Sequence, residues 1–206
     1  MNNEVFIRKA KQEDALNIAI IHKQQFNTHF LGKYSLKTIE NFYKCFLNDD
    51  NFVLVSEKDN QVIGFVLGGD SCYLSKAQNV FLKKYRISYM LETVLKPHVY
   101  FSALSRIRMF CGSLFSDKSK MDNIAQNDLL INKNIRLLSI AVDEKAKGKN
   151  IADMLIKSFE NYIYPNDYGL SVYKDNKRAV NFYLKNGFEL EKEINNSLYL
   201  KKSLMS

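Results

Sequence analysis

The sequence predicts a mixed α/β (α+β) fold: a mostly antiparallel central sheet flanked by helices and interrupted by a helical insertion. Three observations predict it. Residues 136–152 run from a continuous apolar segment, Arg136-Leu137-Leu138-Ser139-Ile140-Ala141-Val142, through a polar turn into a helix marked by Ile151, Met154, Leu155, Phe159 and Tyr162. Two pairs of strand-length segments, within 51–69 and 188–202, turn back on themselves at Asp/Asn-rich points, as antiparallel hairpins do. Helical stripes lie before the first hairpin and before the second. At 206 residues the chain, 1–206, is expected to form a single domain with a full hydrophobic core.

In chain order, Val5-Phe6-Ile7-Arg8 reads as a short first strand. Ala15, Ile18, Ala19, His22 and Phe26 share one face of a helix, where His22 suits a wall residue better than a catalyst. A loop over 27–33 carries His29 and Gly32. Ser35 is suited to cap a second helix reaching about Leu47, with Leu36, Ile39, Phe42 or Tyr43, and Phe46 inward. Segments 51–56 and 62–69 form a hairpin around Lys58-Asp59-Asn60-Gln61. From Tyr73 the chain is rich in aromatics, Leu, Met and Lys. Two helices are expected there, over about 77–95 and 98–114, broken at Pro97, followed by a polar loop over 117–133. This block, about 71–130, reads as an insertion covering one side of the core. Its aromatics suit core packing, and also a pocket wall, a subunit contact or a membrane surface.

The apolar run 136–142 is long enough for a strand and has the composition of one buried on both faces. Its helix stops at Pro165-Asn166-Asp167. Gly169-Leu170-Ser171-Val172-Tyr173 is a further strand. Asn176 opens another helix with Ala179, Phe182 and Tyr183 on one face, and Asn186-Gly187 closes it, the glycine as a left-handed cap. The last hairpin turns at Asn195-Asn196.

Composition narrows the function. No apolar run reaches the roughly 20 residues of a membrane-spanning helix, and Met-Asn-Asn-Glu-Val lacks the basic-then-apolar pattern of a signal peptide, so a cytoplasmic protein is expected. Cys45, Cys72 and Cys111 are odd in number and widely spaced, which suits reduced thiols packed in the core and no metal site. The net charge is +8, and most of it lies in 71–121, where nine Lys/Arg residues face only Glu92 and Asp117. That patch favours an anionic partner, or is a solvated helix face. No nucleic-acid module is recognisable.

The turn after the 136–142 segment carries the chemistry. Lys147-Gly148-Lys149-Asn150-Ile151-Ala152 is a small basic loop opening a helix. Free N–H groups and the helix dipole make such a point an anion site, and Lys145, Lys147 and Lys149 add charge. The plainer alternative is an N-cap at Asn150 with Asp153 in an acidic first turn.

Two stretches together resemble the GCN5-related N-acetyltransferase (GNAT) family. Lys147-Gly148-Lys149-Asn150-Ile151-Ala152 is similar to the family's Arg/Gln-x-x-Gly-x-Gly/Ala pyrophosphate loop. Leu170-Ser171-Val172, then Asn176, Ala179, Phe182-Tyr183 and Gly187-Phe188, is similar to its strand and helix ending in Tyr-x-x-x-Gly-Phe. The order of elements also matches over most of 4–70 and 134–203. The resemblance implies a GNAT-like sheet, acetyl-CoA as cosubstrate, no metal, and acetyl transfer to a primary amine by direct attack in a ternary complex. Lys147 stands where Arg or Gln is usual and keeps a donor and a charge. Asn150 stands where Gly is usual, and Asn is the non-Gly residue that best tolerates left-handed geometry.

By the same resemblance, Lys147, Gly148, Lys149, Asn150, Ile151 and Ala152 receive the diphosphate. Ile140, Ala141 and Val142 pair with the pantetheine arm like an added strand. An N–H near Ile140 meets the thioester oxygen. Asn176 is a further cofactor contact, or otherwise a helix cap. Tyr183 is the general acid for the leaving thiolate, since a phenol of pKa about 10 is protonated at neutral pH; its plainer reading is a core tyrosine. The central strand offers Ser139 and no carboxylate, so the base is left among a bound water, His22, His29, Asp70 and His98. The basic insertion disfavours a polycation and suits a nucleotide-linked amino sugar, with cations on its phosphates and tyrosines on its base. Similarity to sugar N-acetyltransferases points the same way. Alternatives are another small amine, a protein amine, or CoA or anionic-surface binding without catalysis. A homodimer is compatible with the apolar, basic insertion.

Overall fold

The computed structural model describes residues 4–95 and 134–205. Its strands are β1 (Phe6–Lys9), β2 (Asn51–Lys58), β3 (Gln61–Asp70), β4 (Ile135–Val142), β5 (Tyr168–Tyr173), β6 (Glu189–Ile194) and β7 (Ser197–Lys202). They form one sheet in the order β1-β2-β3-β4-β5-β7-β6. Its α-helices are α1 (Ala15–Gln25), α2 (Leu36–Lys44), α3 (Ser71–Leu95), α4 (Ile151–Ile163) and α5 (Lys177–Lys185). Of the described pairings only β4 with β5 is parallel. This is the mixed, mostly antiparallel sheet with flanking helices that the sequence predicts.

Local chemistry explains the turns. Asp59 and Asn60 have φ of 50° and 60°. Two consecutive left-handed residues make the turn whose twist matches a two-residue hairpin. Asn195 at φ 53° and Gly187 at φ 82° do the corresponding work at the last hairpin and at the end of α5. The Ser35 side chain accepts from Thr38 N at 3.2 Å and so caps α2 as expected.

Strand alternation sorts the core into two layers. Ile18, Ile39, Tyr43 and Phe46 of the α1–α2 region meet Val53, Val55, Phe65 and Leu67 on one face of the sheet. Leu155, Phe159, Val180 and Tyr183 from α4 and α5 meet Leu54, Val66, Leu137 and Leu170 on the other. Gly68 lets α4 approach: a Cβ there would lie 2.5 Å from Phe159 Cζ and 2.8 Å from the Arg136 carbonyl oxygen.

Three expectations need correction. First, α3 begins at Ser71, directly on the end of β3, rather than near 77, and bends at Tyr85 (φ −113°, ψ 16°). The Asp70 carboxylate accepts from Cys72 N at 2.8 Å and starts the helix early. The second helix of the insertion, Pro97, His98, Cys111 and the loop over 117–133 lie outside the described residues. Second, Cys72 is exposed in the first turn of α3 and Cys45 is half-buried, so Cys72 is not a core thiol. Third, β4 is not buried on both faces. Ile135, Leu137 and Ala141 are buried, but Leu138 is 41 % exposed. β3 pairs Leu67 with Ser139 and Gly68 with Leu137, which leaves Leu138 as the extra residue of a β-bulge.

Candidate active site

That bulge changes what β4 presents. Leu137 packs in the α4–α5 layer and Ala141 in the α1–α2 layer. Strict alternation would put residues 137, 139 and 141 on one face. The extra residue shifts the parity, so Ser139 and Ala141 face α1–α2 while Ile140 and Val142 pack toward α4.

The other edge of β4 is largely open. It pairs with β5 only through Ile135↔Tyr168 and Arg136↔Gly169, after which the two parallel strands separate. Beyond this point, among the described residues, β4 is hydrogen-bonded only to β3. Asp143 N donates to Ile63 O at 2.8 Å, so with Val142 opposite Gly64 and Ile140 opposite Val66, alternation turns the N–H and C=O of Ile140 and Val142 away from β3 and into the gap. Ala141 differs. Its backbone is directed at β3 and its side chain is buried. The expectation that all of Ile140, Ala141 and Val142 offer backbone groups to a ligand is therefore reduced to Ile140 and Val142.

At the open end of the gap the chain turns into α4. Asp143 Oδ1 accepts from Lys145 N at 2.9 Å and holds a short 3-10 turn, Glu144–Ala146. Gly148 has φ 78° with no atom near the direction a Cβ would take. Asn150 is left-handed, φ 56° and ψ 18°, and its side chain caps nothing. The ordinary N-cap alternative is thus set aside. The first helical bond is Met154 N to Asn150 O at 3.0 Å. Among the described residues the amides of residues 148–153 have no acceptor. Of the lysines, Lys147 pairs with Glu144, which Gln25 of α1 also holds at 3.1 Å; Lys145 and Lys149 are exposed. An open cavity of about 410 Å³ adjoins this turn, lined by Asn150, Asp153, Met154, Lys157, Lys185 and Asn186.

Tyr183 lies on α5 in the α4–α5 layer, 8 % exposed, with its ring edge-on to Phe182 and Phe188 at 5.3 Å each. Its hydroxyl has no hydrogen-bond partner among the described residues, and burial holds its pKa above the ordinary phenol value. Asn176 caps α5, its side-chain oxygen accepting from Ala179 N at 3.2 Å. That leaves its amide donors for a ligand.

The base candidates are treated unequally. Asp70 is occupied at the start of α3, beside Ile135 and far along β4 from the turn. His22 is 7 % exposed, and burial pushes its pKa down to about 4, so it is neutral at pH 7. Its Nδ1 is 2.7 Å from the Tyr43 hydroxyl, while Nε2 is buried without a partner. His29 meets Tyr173 ring to ring at 5.7 Å. Tyr43 is the functional candidate that sequence reasoning leaves undistinguished from Phe42 as a core residue. Its phenol, fully buried and bonded to a histidine, carries no periodic signal.

Residues 124–197 match the acetyltransferase (GNAT) domain model. No curated protein matches the chain by sequence. Among solved structures, the PaiA N-acetyltransferase from Thermoplasma acidophilum, in complex with coenzyme A, is similar at a TM-score of 0.55 and 16 % identity, over 97 % of this chain and 99 % of that one. An N-acetyltransferase from Staphylococcus aureus Mu50 is similar at 0.58 and 18 %, over 95 % and 98 %. Ard1 from Thermoplasma volcanium is similar at 0.57 and 14 %, over 98 % and 99 %. Residues 124–197 are thus similar to an acetyltransferase (GNAT) domain, and the chain has the fold of these N-acetyltransferase structures.

Proposed function

We propose that the protein transfers an acetyl group from acetyl-CoA to a primary amine, by direct attack in a ternary complex. The observation that carries this reading is the run of amides over 148–153 without acceptors, at the mouth of a gap whose β4 edge is unpaired. An anion there gains backbone donors and the positive end of α4 without displacing a protein contact.

Bound acetyl-CoA supplies a thioester carbon open to attack and a thiolate leaving group. The amides over 148–153, with Lys147 and Lys149 beside them, hold the diphosphate charge. Ile140 and Val142 align the arm that follows by strand-like bonds. The Ile140 N–H donates to the thioester oxygen as negative charge builds on it. Asn176 donates from the start of α5. Tyr183, kept protonated by burial, gives its proton to the departing sulfur. His22 is neutral but its ring is bonded inward to Tyr43, so the ammonium proton leaves to solvent by another route before the free amine attacks.

The acceptor class we assign is a nucleotide-linked amino sugar. Support comes from the basic insertion. Lys83, Lys84 and Arg86 line an open cavity with Tyr85 at the bend of α3, where phosphate and base can both be met. The same reading makes the protein cytoplasmic, where its cosubstrate is found, in keeping with the unpaired thiols of Cys45 and Cys72. The test is calorimetry with acetyl-CoA, followed by CoA release over a panel of amines. No heat with acetyl-CoA rejects the reading. Turnover of polyamines or peptides alone rejects the acceptor class.

A further inference from the structure

Ser139 is the lone polar side chain between Leu137 and Val142, and the bulge at Leu138 turns it to the α1–α2 face. There it meets a buried polar ladder. The Tyr43 hydroxyl donates to Ser139 Oγ at 3.4 Å, and His22 Nδ1 lies 2.7 Å from the same hydroxyl. If the phenol proton points at Ser139, Nδ1–H donates to the phenol and the orphaned Nε2 is a bare lone pair. The opposite order would bury an unpartnered N–H, the rarer and costlier arrangement. The ladder therefore runs from His22 through Tyr43 to Ser139. Ser139 is part-buried, and among the described residues its Oγ keeps one lone pair and its own hydrogen without a partner. The last step is long for an O–H···O bond, as such contacts often are before a ligand tightens them.

A second chain of contacts starts at the same histidine. The His22 ring lies 4.8 Å from Phe26, Phe26 lies 5.3 Å from His29, and His29 lies 5.7 Å from Tyr173 on β5. His22 thus ties together the two strands that separate: β4 through Tyr43 and Ser139, β5 through Phe26, His29 and Tyr173. The gap is bounded on this face by rings, with the Ser139 hydroxyl as the polar group supplied by β4. Tyr183 and the turn over 148–153 belong to the opposite layer. A ligand whose diphosphate is held on the α4 side must be met by its partner from this one.

We propose that Ser139 holds the acceptor amine by accepting one of its N–H groups, and that Tyr43 and His22 are positioning residues that aim the Ser139 hydroxyl. This rests on the acetyltransferase reading above. It adds the group that orients the acceptor's nitrogen and the residues that aim it.

The experiment compares wild type, Ser139→Ala, Ser139→Thr, Tyr43→Phe and Tyr183→Phe. CoA release is measured with a UDP-linked amino sugar, spermidine, tyramine and a lysine peptide. Acetyl-CoA calorimetry and ¹⁵N NMR of the His22 ring accompany it. Losing one hydrogen bond at a desolvated centre should lower kcat/KM for the acceptor about 10- to 100-fold in Ser139→Ala. The acetyl-CoA Kd should stay within about twofold, and Ser139→Thr should recover most of the rate. Tyr43→Phe should lose rate chiefly through the acceptor KM and shift the His22 Nδ1 resonance, with melting showing the fold intact. Titrating the accepted amine into protein free of acetyl-CoA should shift the same resonance in wild type and not in Ser139→Ala. Wild-type kcat/KM in Ser139→Ala, with Tyr183→Phe impaired, overturns this proposal and leaves the acetyltransferase reading standing. Wild type that releases CoA with none of the four amines overturns both.

Discussion

Asn150 is where backbone geometry and ligand affinity can be separated. Its φ of 56° and ψ of 18° lie in the left-handed region, and its side chain is exposed and caps nothing. An ordinary L-residue in that region costs roughly 1–2 kcal/mol, glycine none, and a β-branched residue sits at the high end. The Asn150 side chain anchors nothing, so a strained substitution there can relax the turn locally without disturbing the core. The cost then appears when a ligand must restore the left-handed turn. A cost of about 1–2 kcal/mol corresponds to roughly 5- to 30-fold in affinity. Acetyl-CoA should therefore bind about 5-fold more weakly to Asn150→Ala and about 30-fold more weakly to Asn150→Val. Asn150→Gly should stay within about threefold of wild type. Calorimetry gives the Kd values, and thermal melting should move by only a few degrees. Wild-type affinity in Asn150→Val would refute the claim that this turn presents the amides of residues 148–153. So would equal losses in the Gly and Val variants, because the side chain and not the backbone would then matter.

Three further outcomes follow. Tyr183→Phe should lower kcat at least about 100-fold with the acetyl-CoA Kd unchanged; because burial raises the phenol pKa, the wild-type rate should not fall off through pH 10, and an alkaline limb below that would argue against the acid role. His22, with its pKa pushed down to about 4 in the fold against 6.5 for an ordinary imidazole, makes the unfolded chain bind the extra proton between those values. Stability is then full above pH 6.5 and falls by about 3 kcal/mol as pH drops to 4. Denaturation at pH 7 and 4.5 should show a steeper loss in wild type than in His22→Gln, and parallel curves would refute it. Gly68→Ala should cost about 1–3 kcal/mol against Phe159, lowering Tm by about 2–4 °C for each kcal/mol. Phe159→Leu should recover part of that loss in the double variant, whereas additive losses would place the clash elsewhere.

Much of the fold was legible because its signals are local. Asp59-Asn60, Asn195-Asn196 and Gly187 mark turns through φ alone, and Ser35 marks a helix start through one hydroxyl. The turn over 147–152 was legible for the same reason, with Asn150 in the geometry its residue type tolerates. What was not legible depends on pairing between distant segments. The bulge at Leu138 arises only from the register of β4 against β3, so the run 136–142 reads as a strand buried on both faces when one residue is turned out. The early start of α3 hides in a single Asp70 bond to Cys72 N. Tyr43 and His22 lie on separate helices, and neither stripe indicates that their polar atoms meet.

In the proposed transfer, the bulge in β4 accounts for how its two halves are kept apart. Were Leu138 paired in regular alternation, Ser139 would share a face with Leu137 and point at α4, into the layer that holds Tyr183. With the bulge, the same short strand offers the backbone of Ile140 and Val142 to the gap, and the Ser139 hydroxyl to the face where Tyr43 waits. On the proposed reading, Tyr183 as proton donor for sulfur and Ser139 as the oxygen that meets the amine stand on opposite sides of the sheet. An amine approaching from the α1–α2 face is directed at the carbonyl carbon without passing the phenol. Deleting Leu138 would test this at the level of the backbone. It makes Leu137 and Ser139 consecutive opposite Gly68 and Leu67, so Ser139 and Ala141 should keep the α1–α2 face, with acceptor turnover and acetyl-CoA affinity both largely retained. Ser139→Ile combined with Ile140→Ser moves the hydroxyl to the α4 face and should lose acceptor turnover while keeping acetyl-CoA affinity; retained turnover there would mean that the face on which the hydroxyl lies is irrelevant to transfer.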